Sequence, residues 1–291
     1  MTTFFSPFTT QQKKGHCGPC SLLYSLFMLG IETTQTKIAN KAGLSAWRRY
    51  IHGADESDLA RAAQQLGARV RFELVTTKES GPAFARKLRA HLGSGHQVIL
   101  LVGNFSHWVS VIGYVNERFV IVDPGDRDPV FNFWSERKML RNAWNENEDE
   151  NSDEPNQYFA ILVQRSDDKK CKWKPTAAFL SLCARGAAET LTTMTNVLEQ
   201  LAARASLRGE REVPLYKLLQ HNEETVLDNV WLWTYTDSSS VSKADLRRHF
   251  QDYTVIAEAA HICVSRDANL VSIVAQLTTL LCAFIWADGN L

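Results

Sequence analysis

The most strongly apolar pattern near the start of the chain is "PCSLLYSLFML", residues 19 to 29, where only Ser21 and Ser25 interrupt the hydrophobic positions. A helix that is apolar nearly all round is buried on most of its faces, and Gly30 behind it is a natural stop. Two shorter helical patterns follow, Thr34 to Ala42 and Ser57 to Leu66. Each opens at a capping hydroxyl and is followed by a glycine. The period then changes to two. In "RVRFELV", residues 69 to 75, Val70, Phe72 and Leu74 share one face, which predicts a strand. Residues 82–92 return to a helical pattern, with Pro82 in a tolerated first position. Residues 97–102, 107–114, 118–122 and 158–163 read as further strands, and the short connections within the middle group favour an antiparallel meander.

Past "QRSDDKKCKWKP" the composition shifts to Ala, Leu and Thr at helical spacing, with helices predicted over 176–205, 214–235, 242–260 and 269–287. The expected fold class is therefore α+β. A buried N-terminal helix packs on a mostly antiparallel sheet in a domain spanning 1–165, and a mainly α-helical domain follows over 166–291. The stretch "NENEDENSDEPNQ", residues 145–157, carries six acidic residues and reads as a solvated loop, with docking of a basic partner as the alternative. Residues 270–286 are at the short limit of a membrane span, about 17–25 residues, and contain Ser272, Gln276, Thr278 and Thr279. A buried helix is the expectation there, rather than a tail anchor.

Composition narrows the partners. Thirty-two basic and thirty-two acidic side chains cancel, so global charge points to neither nucleic acid nor an anionic membrane. Of six cysteines in 291 residues only Cys17 and Cys20 are close together, which is no disulfide framework and fits a reduced, cytoplasmic setting. The first residues lack the basic start and apolar run of a secretory signal. Delivery by a specialised secretion machine would leave no such trace.

The chemistry centres on "GHCGPC", residues 15 to 20. A thioredoxin-type redox pair follows a buried central strand, whereas "TTQQKKGH" is polar throughout. Zinc would need ligands beyond His16, Cys17 and Cys20, and no second cluster stands at the usual spacing, so no metal or other cofactor is expected. A thiolate nucleophile needs a lowered pKa, a base, a group orienting the base, and donors for an oxyanion. Cys17 opens a helix, where free N–H groups and the helix dipole favour a thiolate. Cys20, three residues on, joins Leu23, Tyr24 and Phe27 as core. His107 opens one strand and Asp123 closes the next, so antiparallel pairing brings the imidazole and the carboxylate together.

These residues resemble the papain-like cysteine peptidases, most closely the bacteriocin-leader (double-glycine) peptidase branch and its soluble relatives. The resemblance rests on Gln11 followed by Cys17-Gly18-Pro19, on His107-Trp108-Val109, and on Asp123-Pro124, and it covers about residues 8 to 165. It implies Cys17 as nucleophile, His107 as base, Asp123 as its orienter and the Gln11 side-chain amide as an oxyanion donor, with Gln12 in reserve. The chain departs from the branch at Cys20, where a small residue is usual. It also departs in lacking a multi-span region and a phosphate-binding loop, which leader peptidases carry in their transporter. The expected function is cysteine-peptidase hydrolysis of a peptide or isopeptide bond in a protein or peptide substrate. Deamidation or transglutaminase-type acyl transfer runs on the same machinery. A non-catalytic scaffold, its helical C-terminal half contacting a protein partner, is the rival from outside enzymology.

Overall fold

A computed structural model describes residues 13–45, 52–126, 131–147, 155–167, 176–185, 188–205, 212–234, 241–265 and 269–288. The chain divides into two compact units, Phe5–Ala188 and Glu189–Leu291. The first runs past the composition change near residue 166. Helix Ala177–Arg185 belongs to it, with Leu180 lying where a Cβ on Gly113 would meet it at 3.2 Å.

The first unit is α+β. Its helices are α1 (Cys17–Met28), α2 (Gln35–Lys41), α3 (Glu56–Gln65), α4 (Gly81–Gly93), α5 (Glu136–Ala143) and α6 (Ala177–Arg185). Its strands are β1 (Ala68–Val75), β2 (Gln97–Val102), β3 (His107–Val115), β4 (Arg118–Val122), β5 (Asn132–Ser135), β6 (Trp144–Asn145) and β7 (Gln157–Arg165). They form one sheet in the order β1-β7-β2-β3-β4-β5, with β6 pairing β7. Every pairing among the described residues is antiparallel. The expected meander is present and gains β5. The late strand β7 inserts between β1 and β2, a long-range pairing that no local pattern encodes.

One face of the sheet packs against α4 and α5 through Phe84, Leu88, Val109, Phe119, Ile121, Met139 and Tyr158. The other face receives α1, which is buried from Gly18 through Met28 as the apolar pattern predicts. Both ends of this helix are fixed. Gly30, at φ 72°, donates to the Phe27 carbonyl at 2.8 Å, and Ile31 N–H reaches the Leu26 carbonyl at 2.8 Å. This left-handed cap satisfies two otherwise orphaned carbonyls. The Arg165 guanidinium, at the end of β7, donates to Leu29 O at 2.8 Å and Gly30 O at 3.3 Å, placing positive charge at the negative end of the helix.

Two expectations are corrected. The cap of α3 is Asp55, not Ser57. Asp55 accepts from Asp58 N–H at 2.8 Å in a capping box, while Ser57 bonds the Asp55 carboxylate. Asn145 is not part of a solvated loop. It lies in β6 with a fully buried side chain, because its amide satisfies four backbone groups around it. Residues 148–154 of the acidic stretch lie outside the described residues.

The second unit holds α7 (Ala188–Ala205), β8 (Glu212–Pro214), α8 (Leu215–Thr234), α9 (Lys243–Ala259), β9 (Cys263–Ser265) and α10 (Leu270–Asp288). Strands β8 and β9 pair with each other. Helix α10 buries Ile273, Leu277 and Leu281 along one face and exposes Val271. No helix among the described residues is long and apolar enough to cross a membrane.

Candidate active site

The two serines that interrupt α1 decide where its first residue sits. Cys17, Ser21 and Ser25 are spaced by four and lie one above another on one helix face. Ser21 Oγ donates to the Trp108 carbonyl at 2.9 Å, and Ser25 Oγ shares a 2.7 Å hydrogen bond with Ser110 Oγ. Both partners are on β3, so the helix is pinned to the strand in a register that brings its first turn beside His107. Gly18 completes the fit. A Cβ there would lie 3.1 Å from Leu59 of α3 and 3.2 Å from Ala54. The Trp108 indole N–H donates to the Ala54 carbonyl at 3.0 Å, tying the segment before α3 to the same strand.

The site residues on these elements come together. The Cys17 thiol interacts with the His107 ring and with the Trp108 and Gly18 backbone N–H groups. On the other side of the ring, His107 Nε2 lies 2.7 Å from Asp123 Oδ1. That leaves Nδ1 as the nitrogen facing the thiol. Asp123 Oδ1 also accepts from Gly125 N–H at 2.8 Å, which holds the carboxylate in a tight turn after β4. Cys17, His107 and Asp123 thus lie in a chain across α1, β3 and the end of β4, each only partly exposed.

The electrostatics follow from this packing. Burial pushes the Cys17 thiol up, but the His107 hydrogen bond, the Trp108 and Gly18 N–H groups and the nearby imidazolium together hold it below its ordinary value. Burial works against a charged His107. Its hydrogen bonds to Asp123 and Cys17 and their negative charges outweigh that, and its pKa is pushed up to about 10. Asp123 is likewise disfavoured as an anion by burial, yet is held below the usual carboxylate range by His107 and the Gly125 N–H. All three shifts favour a thiolate–imidazolium–carboxylate arrangement.

No protein-family model and no curated protein matches the chain. Among solved structures it is similar to a double glycine motif protease from an AMS/PCAT transporter in complex with the leader peptide. The match is 16% identical, covers 54% of this chain and 89% of that chain, and has a TM-score of 0.37. It is similar also to the peptidase domain of Streptococcus ComA, a bi-functional ABC transporter involved in a quorum-sensing pathway. Here the identity is 14%, the coverage 54% of this chain and 96% of that chain, and the TM-score 0.36.

The remaining candidates sit elsewhere. Gln11 and Gln12 lie outside the described residues. Cys20 is fully buried, and its thiol donates to the Tyr24 hydroxyl at 3.0 Å. Burial raises its pKa against its hydrogen bonds with Tyr24 and Gln35, which disfavours a thiolate there. Among the described residues no cluster of three or more His, Cys, Asp or Glu side chains is placed to hold a metal ion. Ser21, Ser25 and Ser110 were not foreseen as site residues. The signal available was the spacing of Ser21 and Ser25 from Cys17, four and eight residues, on an otherwise apolar helix.

Proposed function

We propose that this chain is a papain-like cysteine peptidase that hydrolyses a peptide or isopeptide bond in a protein or peptide substrate. The observation that carries the reading is the Cys17–His107–Asp123 chain, with Asp123 2.7 Å behind the imidazole and the thiol held below its ordinary pKa in front of it. The Cys17 thiolate attacks the carbonyl carbon. As the carbon–nitrogen bond breaks, the His107 imidazolium gives its proton to the leaving amine, and a thioester to Cys17 remains. Neutral His107 then takes a proton from water, the resulting nucleophile attacks the thioester, and the carboxylic product leaves as the Cys17 thiolate is restored beside the His107 imidazolium. Asp123 fixes the ring and stabilises the imidazolium in both halves. The oxyanion is assigned to the Cys17 backbone N–H, which has no intrahelical partner at the start of α1, and to the side chain of Gln11.

The test is proteome-derived peptide profiling with wild type and Cys17→Ala, reading both new termini and deamidation mass shifts. New termini that vanish in Cys17→Ala are expected. A deamidation shift without new termini would move the protein to the acyl-transfer class, and no Cys17-dependent change of either kind would overturn an enzymatic reading.

A further inference from the structure

The turn that delivers His107 from β2 is unusual. Gly103, Asn104 and Phe105 all have left-handed backbone, at φ 64°, 52° and 65°. For glycine this is free and for asparagine tolerable, but for an aromatic residue it is strained and persists only where the surroundings impose it. The turn is closed on itself by Ser106 N–H, which donates to the Gly103 carbonyl at 3.2 Å, and is gripped from outside by a buried amide. Asn145 Oδ1 accepts the Phe105 N–H at 2.8 Å, and Asn145 Nδ2 donates to the carbonyls of Leu101 (3.3 Å), Ala143 (3.0 Å) and Gln157 (3.3 Å). Leu101 and Phe105 bracket the turn, so the amide clamps it from both sides. Neighbours of Asn145 add to the clamp. Gly103 N–H donates to Asn142 O at 3.3 Å, and Glu146 N–H donates to Asn104 Oδ1 at 3.3 Å. The strained residue is two positions before His107, which pairs with Val102 at the mouth of the turn.

We infer that Asn145 is a positioning residue for His107: its amide holds the left-handed turn that sets where the imidazole stands between Cys17 and Asp123. The inference rests on the reading of Cys17 and His107 as the reacting pair. On the far side of the strand the Ser21 bond to the Trp108 carbonyl holds the residue after His107. The histidine is therefore gripped through the backbone before and after it, and Asn145 is the grip on the entry side. The titratable groups facing the ring are Cys17 from α1 and Asp123 beyond β4. Asn145 is uncharged, so an effect of its loss on titration reports a moved ring and not a removed charge.

The experiment is the pH dependence of Cys17 alkylation by iodoacetamide on the full chain, followed by intact mass, with thermal melting alongside. Wild type is read first. A midpoint at the ordinary thiol value, about 8.5, would remove the thiolate pair itself and with it the reading on which this inference rests. With a low wild-type midpoint, Asn145→Ala is expected to shift it upward by about one pH unit or more, which is about tenfold slower alkylation on the acidic limb. Asn116→Ala is the control. Asn116 is an exposed residue at φ 47° in the turn at the other end of β3, and its loss is expected to lower the melting temperature and leave the midpoint in place. A folded Asn145→Ala protein with the wild-type midpoint would overturn the inference while leaving the pair intact. Should Asn145→Ala not fold, Asn104→Ala loosens the same turn, at the Asn104 Oδ1 link to Glu146 N–H and at a left-handed residue. A smaller upward shift is then expected, and an unchanged midpoint in that variant overturns the inference.

Discussion

Helices α1 and α10 are the two most apolar helices described, and both carry hydroxyls among their hydrophobic residues. In α1 the hydroxyls reach across to another element: Ser21 to the Trp108 carbonyl and Ser25 to Ser110. In α10, Gln276 and Thr279 bond back into their own helix, and the buried Thr278 hydroxyl has no hydrogen-bond partner among the described residues. Thr279 Oγ1 donates to Ala275 O at 2.9 Å, and Gln276 Nε2 reaches Ser272. The first pattern fixes a register between helix and strand, and the second only satisfies a side chain locally. The helix whose hydroxyls reach another element is the one that carries the proposed nucleophile at its start. A polar residue in an apolar helix informs about function when its partner lies on a different element.

The largest expected effects come from the residues that this register brings together. Cys17→Ala is expected to abolish hydrolysis with the melting temperature close to wild type, whereas Cys20→Ala retains most activity; kinetics on the peptide found by profiling checks both. A dead Cys20→Ala beside a live Cys17→Ala would reverse the assignment of the two thiols. Asp123→Asn is expected to lower kcat/KM by on the order of 10³–10⁴, because the ring loses the carboxylate that sets its tautomer and stabilises its cation.

Next come the staples. Ser25→Ala leaves the buried Ser110 hydroxyl without this partner and should cost about 1–3 kcal/mol in denaturant unfolding. Thr279→Ala in α10, which loses only a local bond, should stay within about 0.5 kcal/mol. Equal costs would erase the contrast between the helices. Arg165→Ala, which uncaps the far end of α1, falls between them at about 1 kcal/mol.

Stability also depends on pH. His107 binds its proton more tightly when folded, to about 10, so its contribution is full below about 6.5 and drains as pH rises through about 10. Asp123 is shifted the other way. Its contribution is present above about 3.9 and lost as pH falls through its depressed value. Cys17, also depressed, contributes above its ordinary value and loses that contribution as pH falls through the lowered one, which opposes the His107 limb. In Cys17→Ala only the first two remain. Thermal melts of that variant should therefore peak between about pH 4 and 6.5 and decline on the alkaline side, and adding Asp123→Asn should flatten the decline.

Much of this site is legible in the sequence because its parts sit at element ends. A cysteine opening an apolar helix, a histidine opening a strand and an aspartate closing the next one are visible from periodicity, and antiparallel pairing joins the last two. The insertion of β7 between β1 and β2 is not legible, since strand order across a long separation depends on tertiary packing. Nor is Asn145. In the sequence it begins an acidic run and reads as solvent-facing, and only the turn across from it shows why an amide is buried there. Asp55 in place of Ser57 as the cap of α3 is a smaller miss of the same kind, because two capping side chains stood two residues apart and local pattern does not choose between them.

The central claim is that Cys17 is a thiolate held by His107. The most direct measurement is the rate of Cys17 alkylation by iodoacetamide across pH in wild type and in His107→Ala, with the modified residue located by peptide mapping. The account predicts rapid single labelling at Cys17 in wild type below the ordinary thiol value of about 8.5, and a return to that value in His107→Ala. A wild-type Cys17 that reacts only near the ordinary value, or a profile unchanged by His107→Ala, would contradict it.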